Sequence, residues 1–380
     1  MAQDVSSLPV APIEEIIRAL QGGHMVIVTD DEHRENEGDL LMPGQKADAD
    51  AINFMARYGR GLICLALEKK RVDALGLPLM SAVNRSRHQT AFTVSIEAKE
   101  GITTGISAAD RARTIAVAID SLKGKDDIVS PGHVFPLVAR EGGVLVRAGH
   151  TEAAVDLARI AGFSPCGVIC EIMNDDGTMA KGKDLALFAR RHDLRITTIA
   201  RLIAWRLRFE TLVTSIHRET FRTRSGSSWT LHVYMGGYGE KSEHMALVKD
   251  DNRLGKEGLP VRVHRYRGLY DLLDCLRGDN DYVLSQAMHV IEKQGCGVIV
   301  LIGGAPRQGG WAHDMSTQRH VEKEIDVREY GIGAQILCDL GVKDMTLLSN
   351  RKPILHALEG YGLRIRHYQP LSRHGETRGA

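Results

Sequence analysis

A short apolar run, Met25-Val26-Ile27-Val28, leads straight into Thr29-Asp30-Asp31-Glu32-His33-Arg34-Glu35-Asn36-Glu37-Gly38-Asp39, and this junction constrains the fold more than any other segment. Consecutive apolar residues of this kind read as a buried strand. From Val28 to Asp39 the chain then carries six acidic side chains, one Arg and one His. The charges therefore belong at the end of the strand, where α/β proteins gather their chemistry. Several oxygen donors suit a hard divalent cation, and an Arg beside them suits a phosphorylated substrate. A solvated acidic loop accounts for the same charges, and for most charge runs it is the better account.

At 380 residues the chain exceeds the size at which one core keeps growing, so two domains are expected. A formal net charge of +1 makes no electrostatic case for nucleic acid or an anionic membrane as partner. No apolar run approaches the roughly 20 residues that cross a bilayer. Met1 to Pro12 lacks the basic start and apolar segment of a signal peptide, so a cytoplasmic protein is expected. The six cysteines (Cys64, Cys166, Cys170, Cys275, Cys296 and Cys338) form no CxxC pair and no zinc-finger spacing, as expected of buried, reduced thiols.

Helical and strand-like patterns alternate through the first half. Helices are predicted over Pro12–Leu20, Ala47–Tyr58, Ala108–Leu122, Thr151–Ala161 and Lys183–His192, and strands over Gly61–Leu67, Val144–Val146, Gly167–Ile172 and Ile196–Ile199. This alternation predicts a layered α/β domain. From about Arg206 the texture changes. Thr211 to Thr230 is rich in Thr, Ser and Arg with weak apolar periodicity, and reads as a domain junction leading into a β-rich start. Helices over Leu284–Lys293 and Gly333–Leu340 and strands at Gly297–Ile302 and Met345–Leu348 follow. Gly304 to Lys323 has no period, and the tail after Leu371 reads as frayed.

Four further segments are more polar than folding requires. Thr103-Thr104-Gly105-Ile106-Ser107 suits an anion held by amides and hydroxyls, or equally an ordinary helix cap. Ser130 to Leu137 fixes His133 between two prolines; alone, it reads as a structural loop residue. Arg147-Ala148-Gly149-His150-Thr151 is expected to run from a strand into a helix, with Thr151 as a cap and Arg147 beside a helix N-terminus that can receive phosphate. Glu171 lies in the apolar run Val168 to Met173, where a carboxylate is costly unless it is paired or bound to metal. Together these residues describe a divalent-cation and sugar-phosphate site.

The run Asp30 to Leu40, with Gly59 to Cys64, Thr103 to Ala108, Pro131 to Leu137 and Arg147 to Glu152, resembles 3,4-dihydroxy-2-butanone 4-phosphate synthase of riboflavin biosynthesis. The resemblance covers roughly residues 12–206 and implies a synthase domain over 1–206 with a mixed sheet. It implies conversion of ribulose 5-phosphate to 3,4-dihydroxy-2-butanone 4-phosphate and formate, a homodimer with sites near the subunit interface, and Mg2+ or Mn2+ with two ions per site. By the same resemblance Glu35 ligates both ions and His150 one. Arg34, Glu35, Asp39, Cys64, Thr104, Arg147, Ala148, Gly149, His150, Thr151 and Glu171 hold the substrate. His133, Glu171, Glu37 and Asp39 are the expected catalytic groups, with Asp39 or Glu37 in the early proton transfers and Glu171 with His133 in later ones.

In the second half, Val261 to His264, Tyr330 to Leu337 and Ala357 to Leu363 resemble GTP cyclohydrolase II, implying an α+β domain over residues 212–371. That family holds zinc on three closely spaced cysteines and binds phosphate with an Arg-rich loop. Here Cys275 is the one cysteine after His264 in that region, and Gly303 to Gly310 keeps only Arg307. Asp326 and Arg328 match a catalytic pair, and Ser349-Asn350 is close to a nucleotide-contacting pair. Without the metal ligands, these residues are expected to persist in support of the fold. No zinc and no GTP hydrolysis are expected. The alternative is a bifunctional chain that opens GTP through an altered site.

Overall fold

The structure, a computed structural model, describes residues 10–30, 34–81, 83–84, 90–223, 226–236, 242–254, 257–266, 271, 283–303, 327–350 and 363–371. The chain divides into two compact units between Arg206 and Leu207. Both are built on mixed sheets with helices: the first is the layered α/β domain that the alternating pattern implies, and the second, expected as α+β, pairs an antiparallel run with parallel strands.

The first unit holds β1 (Val26–Thr29), β2 (Gly38–Pro43), β3 (Cys64–Glu68), β4 (Ile96–Ala98), β5 (Ile128–Ala139), β6 (Cys166–Glu171) and β7 (Arg195–Thr198) in the order β4-β5-β3-β6-β2-β1-β7. The β1–β7 and β3–β5 pairs are parallel, and the remaining neighbours are antiparallel. Its helices are α1 (Ile13–Gln21), α2 (Ala49–Phe54), α3 (Lys69–Ala74), α4 (Ala108–Ile119), α5 (His150–Ile160), α6 (Lys183–His192) and α7 (Ile199–Phe209), the last running past the division.

Alternation along the strands sorts the core into two layers, because successive side chains leave opposite faces. Val26, Val28, Leu41, Cys64, Ala66 and Ile169 pack with Ile16 and Leu20 of α1, Ala153 and Leu157 of α5 and Leu202 of α7. Ile27, Leu40, Met42, Leu65, Leu67, Val168 and Cys170 pack on the other face with Ile52, Ile115 and Leu185 of α2, α4 and α6. Strands buried on both faces read as unbroken apolar runs, which is why β1 and β6 are visible in the sequence.

Several local expectations are corrected. Val144 to Val146 is not a strand: Gly143–Leu145 is a 3-10 turn. Gly142 and Gly143 take φ of 89° and 63°, and the Val144 N–H donates to Asp156 Oδ2 at 2.8 Å. Buried apolar residues in a turn and in a short strand look alike in sequence. Arg147 to Ala154 thus passes from a turn, not a strand, into α5, whose N-cap is Gly149 and not Thr151. Ala47 to Tyr58 breaks into α2 and a π turn over Met55–Gly59, ending on Arg60 at φ 68°.

The second unit arranges β8 (Val213–Arg222), β9 (Ser228–Gly236), β10 (Ser242–Lys249), β11 (Leu259–Arg265), β12 (Gly297–Ile302), β13 (Asp344–Leu348) and β14 (Arg364–Gln369) in the order β14-β13-β11-β12-β10-β9-β8. An antiparallel run, β8 to β10, adjoins β12, and β12, β11, β13 and β14 pair in parallel. Helix α8 (Val283–Gln294) buries Ala287 and Ile291 against Ile299 and Leu301, and α9 (Val327–Asp339) buries Ile332 and Ile336 against the opposite face. The stretch read as a junction is largely β8, a sheet-edge strand exposed along nearly its whole length. An exposed edge strand carries no apolar alternation to detect. Cys275, Gly304 to Gly310, Asp326, Ala357 to Gly362 and the tail beyond Leu371 lie outside the described residues.

Candidate active site

Strand register assembles the site. Val28 stands opposite Asp39 on β2, and Asp39 stands opposite Glu171 on β6. The next row pairs Cys64 with Ile169. Asp39 and Glu171 lie two residues from Leu41 and Ile169, so all four point to the α5 face. Helix α5 starts there with His150, which is buried. Two acidic residues and a histidine, distant in sequence, thus meet above one end of the sheet.

The loop between β1 and β2 folds around Asp30. Its Oδ1 accepts the Glu37 N–H at 2.9 Å, and its Oδ2 accepts the Glu35 N–H at 3.0 Å and Arg34 Nη1 at 2.8 Å. Asn36 takes the left-handed φ of 55° that closes the turn. Arg34 also bonds Glu35 Oε2 at 2.7 Å. Burial alone would raise the Asp30 carboxyl, but the two amides, His150 and Arg34 outweigh it and hold the group below the usual carboxylate range. Among the described residues of the acidic run, Arg34, Glu35 and Glu37 are therefore organised around Asp30 as their hub. Asp31, Glu32 and His33 lie outside the described residues.

His150 Nε2 lies 3.1 Å from the Val28 carbonyl, which can only accept, so the ring donates there. In the neutral ring this leaves a lone pair on Nδ1, which lies 3.9 Å from Glu35 Oε2 and 3.8 Å from Asp39 Oδ1. Burial pushes the imidazole toward its neutral form, despite the acids around it. Asp39 is buried, and among the described residues its Oδ1 has no hydrogen-bond partner. Burial, with Glu171, Glu37, Glu35 and Asp30 nearby, drives its carboxyl well above the ordinary range. Burial and Glu35, Glu171 and Asp30 likewise raise Glu37. Burial, Glu171 and Asp39 keep the Cys64 thiol protonated.

Such crowding of carboxylates is unstable without positive charge. The ligand atoms of Asp30, Glu35 and His150 lie within 4.8 Å of one another. Oxygen donors, a neutral imidazole with its lone pair turned inward and the orphaned Asp39 Oδ1 together fit a divalent cation.

Glu171 is held from the side. Its Oε2 accepts the Leu62 N–H at 2.8 Å, beyond the π turn. A Cβ at Gly61 would lie 2.5 Å from Glu171 Oε2 and 2.6 Å from its carbonyl oxygen, so the approach requires glycine. Across the cavity, Arg147 Nη1 bonds Glu152 Oε2 at 2.6 Å and Nη2 bonds Thr90 Oγ1 at 3.1 Å. Gly149 permits this, since a Cβ there would lie 2.3 Å from Arg147 Nη1.

A cavity of about 430 Å3 is lined by Arg34, Glu35, Glu37, Asp39, Cys64, Arg147, His150, Thr151 and Glu171, with Thr90, Phe92, Leu137 and Ile169. The first nine are sequence candidates; Ala148 and Gly149 belong to the adjoining turn. His133 and Thr104 do not line it. His133 pairs through Nδ1 with Glu97, and Thr104 is exposed. The Thr103 to Ser107 turn is a helix cap: Ser107 Oγ accepts the Asp110 N–H, and Asp110 accepts Thr103 Oγ1 and the Thr103 and Gly105 amides. Thr90 and Phe92 are not legible in the sequence, because nothing local marks an irregular residue or an isolated bridge residue as cavity lining. Asp30 stood in the acidic run without a distinguishing mark.

Two residues of the second unit that lie in or beside segments resembling GTP cyclohydrolase II, Gln335 and Asn350, make hydrogen bonds within that unit. The Gln335 carboxamide accepts the Leu212 N–H at 2.7 Å and donates to the Leu207 and Glu210 carbonyls at 2.9 and 2.6 Å. Asn350 Oδ1 accepts the Leu371 N–H at 2.7 Å. Cys296 is buried, and Cys338 lies on α9.

The chain matches the 3,4-dihydroxy-2-butanone 4-phosphate synthase family over residues 14–205 and the GTP cyclohydrolase II family over residues 214–370. It is 47% identical over 372 residues to the riboflavin biosynthesis protein RibBA of Aquifex aeolicus, spanning 93% of this chain and 90% of that protein. It is 44% identical over 358 residues to a 3,4-dihydroxy-2-butanone 4-phosphate synthase of Neisseria meningitidis serogroup B, spanning 94% of this chain and 97% of that protein. Among solved structures it resembles RibBX, a two-domain 3,4-dihydroxy-2-butanone 4-phosphate synthase from A. baumannii (TM-score 0.76, 40% identity, 94% of this chain and 99% of that one). A synthase solved with two magnesium ions matches 53% of this chain and 98% of its own length (TM-score 0.51, 40% identity). The register that brings Asp39, Glu171 and His150 together is thus that of a riboflavin-biosynthesis enzyme, and the chain belongs to the 3,4-dihydroxy-2-butanone 4-phosphate synthase family, with a GTP cyclohydrolase II-like unit following the synthase unit.

Proposed function

We propose that the first unit converts D-ribulose 5-phosphate to 3,4-dihydroxy-2-butanone 4-phosphate and formate with Mg2+, and that the second unit does not hydrolyse GTP. The observation that carries the first part is the buried Asp39 Oδ1, without a hydrogen bond among the described residues, 3.8 Å from the His150 Nδ1 that also faces Glu35. Glu35 and His150 would hold the metal, with Asp30 as a third donor from the same cluster. When bound, Mg2+ supplies Lewis-acid stabilisation of the negative charge that develops on the sugar oxygens. Two ions per site, and Mn2+ as a substitute, belong to the same proposal.

The chain's own groups divide the remaining work. Arg34 and Arg147, with Thr151 and the α5 amides behind Ala148 and Gly149, hold the phosphate and hydroxyls. Asp39 and Glu37 take or return protons early, since burial and the neighbouring carboxylates raise their proton affinity above that of ordinary carboxylates. Glu171 acts later, its carboxylate fixed by the Leu62 amide. Cys64 is a protonated wall of the cavity. His133 and Thr104 do not line the cavity of their own chain, which supports a homodimer in which a second copy brings them to it. The exposed Leu79, Met80 and Ile106 give that contact apolar surface. Addition of ribulose 5-phosphate and Mg2+ to the purified chain is expected to release formate and the four-carbon phosphate. EDTA is expected to stop it; persistence in EDTA counts against the metal.

The proposal for the second unit rests on the cysteines. Zinc that activates water needs three protein ligands. After His264 the sequence offers Cys275, Cys296 and Cys338; Cys296 adjoins β12 and Cys338 lies on α9, neither near Cys275 in sequence. Relatives named RibBA favour the second reading, that this unit also opens GTP through an altered site. Stoichiometric zinc in the purified chain, with formate released from GTP, establishes that second reading; no zinc and no turnover support ours.

A further inference from the structure

We propose that Glu97 is a positioning residue for His133, fixing its imidazole as the Nδ1–H tautomer so that Nε2 faces outward as a proton acceptor; this rests on the catalytic role proposed above for His133.

The register between β4 and β5 jumps at this point. Ile96 stands opposite Val134, and Glu97 stands opposite Val129. Residues 130–133 are therefore left over as an arch above Glu97. Ser95 straps the arch down: its carbonyl accepts Ser130 Oγ at 2.7 Å, and its Oγ accepts the Gly132 N–H at 3.1 Å. Within the arch, His133 Nδ1 meets Glu97 Oε1. The Glu97 side chain is 16% exposed and that of His133 44%, so the carboxylate is the inner partner and the ring the outer one.

Two glycines fit this pair closely. A Cβ at Gly105, at φ +86°, would lie 1.6 Å from Glu97 Oε1 and 2.8 Å from His133 Nδ1. A Cβ at Gly132 would lie 2.5 Å from Glu97 Cγ and 2.2 Å from the Ile96 carbonyl. Gly105 is tied in turn to Asp110 Oδ2 through its N–H at 3.0 Å. An ordinary exposed ion pair contributes about 0–1 kcal/mol and needs no such clearance. Here two bare backbones crowd a carboxylate against one ring nitrogen.

An ionised carboxylate only accepts, so Nδ1 must carry the hydrogen. In the neutral ring the lone pair then sits on Nε2, at the exposed edge, where substrate at a site on a second copy can meet it. A carboxamide at position 97 can accept from Nδ1–H or donate to a bare Nδ1, so it no longer fixes the tautomer.

The test combines nitrogen-15 NMR of the full-length, histidine-labelled chain with ribulose 5-phosphate turnover, His133 being assigned by loss of its signal in His133→Asn. The unmodified chain is expected to show the Nδ1–H tautomer. Glu97→Gln should let the Nε2–H tautomer become populated and lower kcat by about 10- to 100-fold, with KM and melting temperature unchanged. Glu97→Asp should recover part of the rate. An Nε2–H tautomer in the unmodified chain overturns the proposal without recourse to any variant at position 97. So does a wild-type rate in Glu97→Gln, or a lost rate with an unchanged tautomer. If His133→Asn itself turns over normally, the role of His133 fails first. If His133→Asn is inactive and Glu97→Gln fully active, only the positioning role falls.

Discussion

Asp39 shows how a single residue ties stability to function. Its folded carboxyl titrates well above the ordinary value of 3.8, chiefly through burial and then through Glu171 and Glu37. Its protonated form therefore suits the metal-free fold. The corresponding stability is present below the unfolded value and is lost as pH rises through the folded one. In EDTA, melting temperature should fall with rising pH over that window. Asp39→Asn should remove this component and melt higher than the parent at neutral pH, while losing most synthase activity. A variant that melts lower than the parent throughout contradicts this. Gly61→Ala tests the opposite side of the cavity: the added Cβ must displace Glu171, which should cost about 1–3 kcal/mol in a denaturation curve and depress turnover. At this scale the sequence shows residues that share one run, such as Arg34, Glu35 and Glu37. Thr90, which reaches the cavity from a distant segment, is invisible until the chain is folded.

At the scale of elements, the first turn of α4 and the start of α5 carry the loops that matter. Asp110 binds the Thr103 hydroxyl and amide and the Gly105 amide, and these bonds hold its carboxyl below the ordinary range. Its contribution is full above the unfolded value of 3.8 and is lost as pH falls through the lower folded one. Asp110→Asn should flatten that acid limb of the melting profile, and Ser107→Ala should cost about 1 kcal/mol as a lost cap. Asp156 on α5 is buried with Arg206, 2.7 Å away, and also accepts the Val144 amide. Arg206→Met takes away the buried cation and leaves that carboxylate to the Val144 amide and to the more exposed Arg159, 3.6 Å away, and should cost about 3–5 kcal/mol by denaturant titration. An unchanged midpoint would show the pair to be dispensable. The same bonds explain the misread strand at Val144: side-chain capture of its amide is set by tertiary contact, which no local pattern records. β8 was misread for a different reason, since an exposed edge strand has no buried face to imprint the sequence. Helix α6 is legible by its helical period, and strand β12 as an unbroken apolar run buried on both faces.

For the whole molecule, every residue assigned to the cavity precedes Met173. The proposed dimer, however, makes each cavity depend on two copies. Mixing a Glu35→Ala chain with a His133→Ala chain, each inactive alone, should restore about a quarter of the sites, because random two-fold pairing gives some dimers one intact set. No recovery after subunit exchange contradicts a shared site. The central proposal is that residues of the β1–β2 connection, Glu35 above all, and the start of α5 form a metal-dependent sugar-phosphate site. The most direct measurement is turnover of ribulose 5-phosphate at saturating Mg2+ by Glu35→Ala and by His150→Ala, each checked for unchanged folding. Both should fall by at least about 100-fold; normal rates in either folded variant would contradict the assignment.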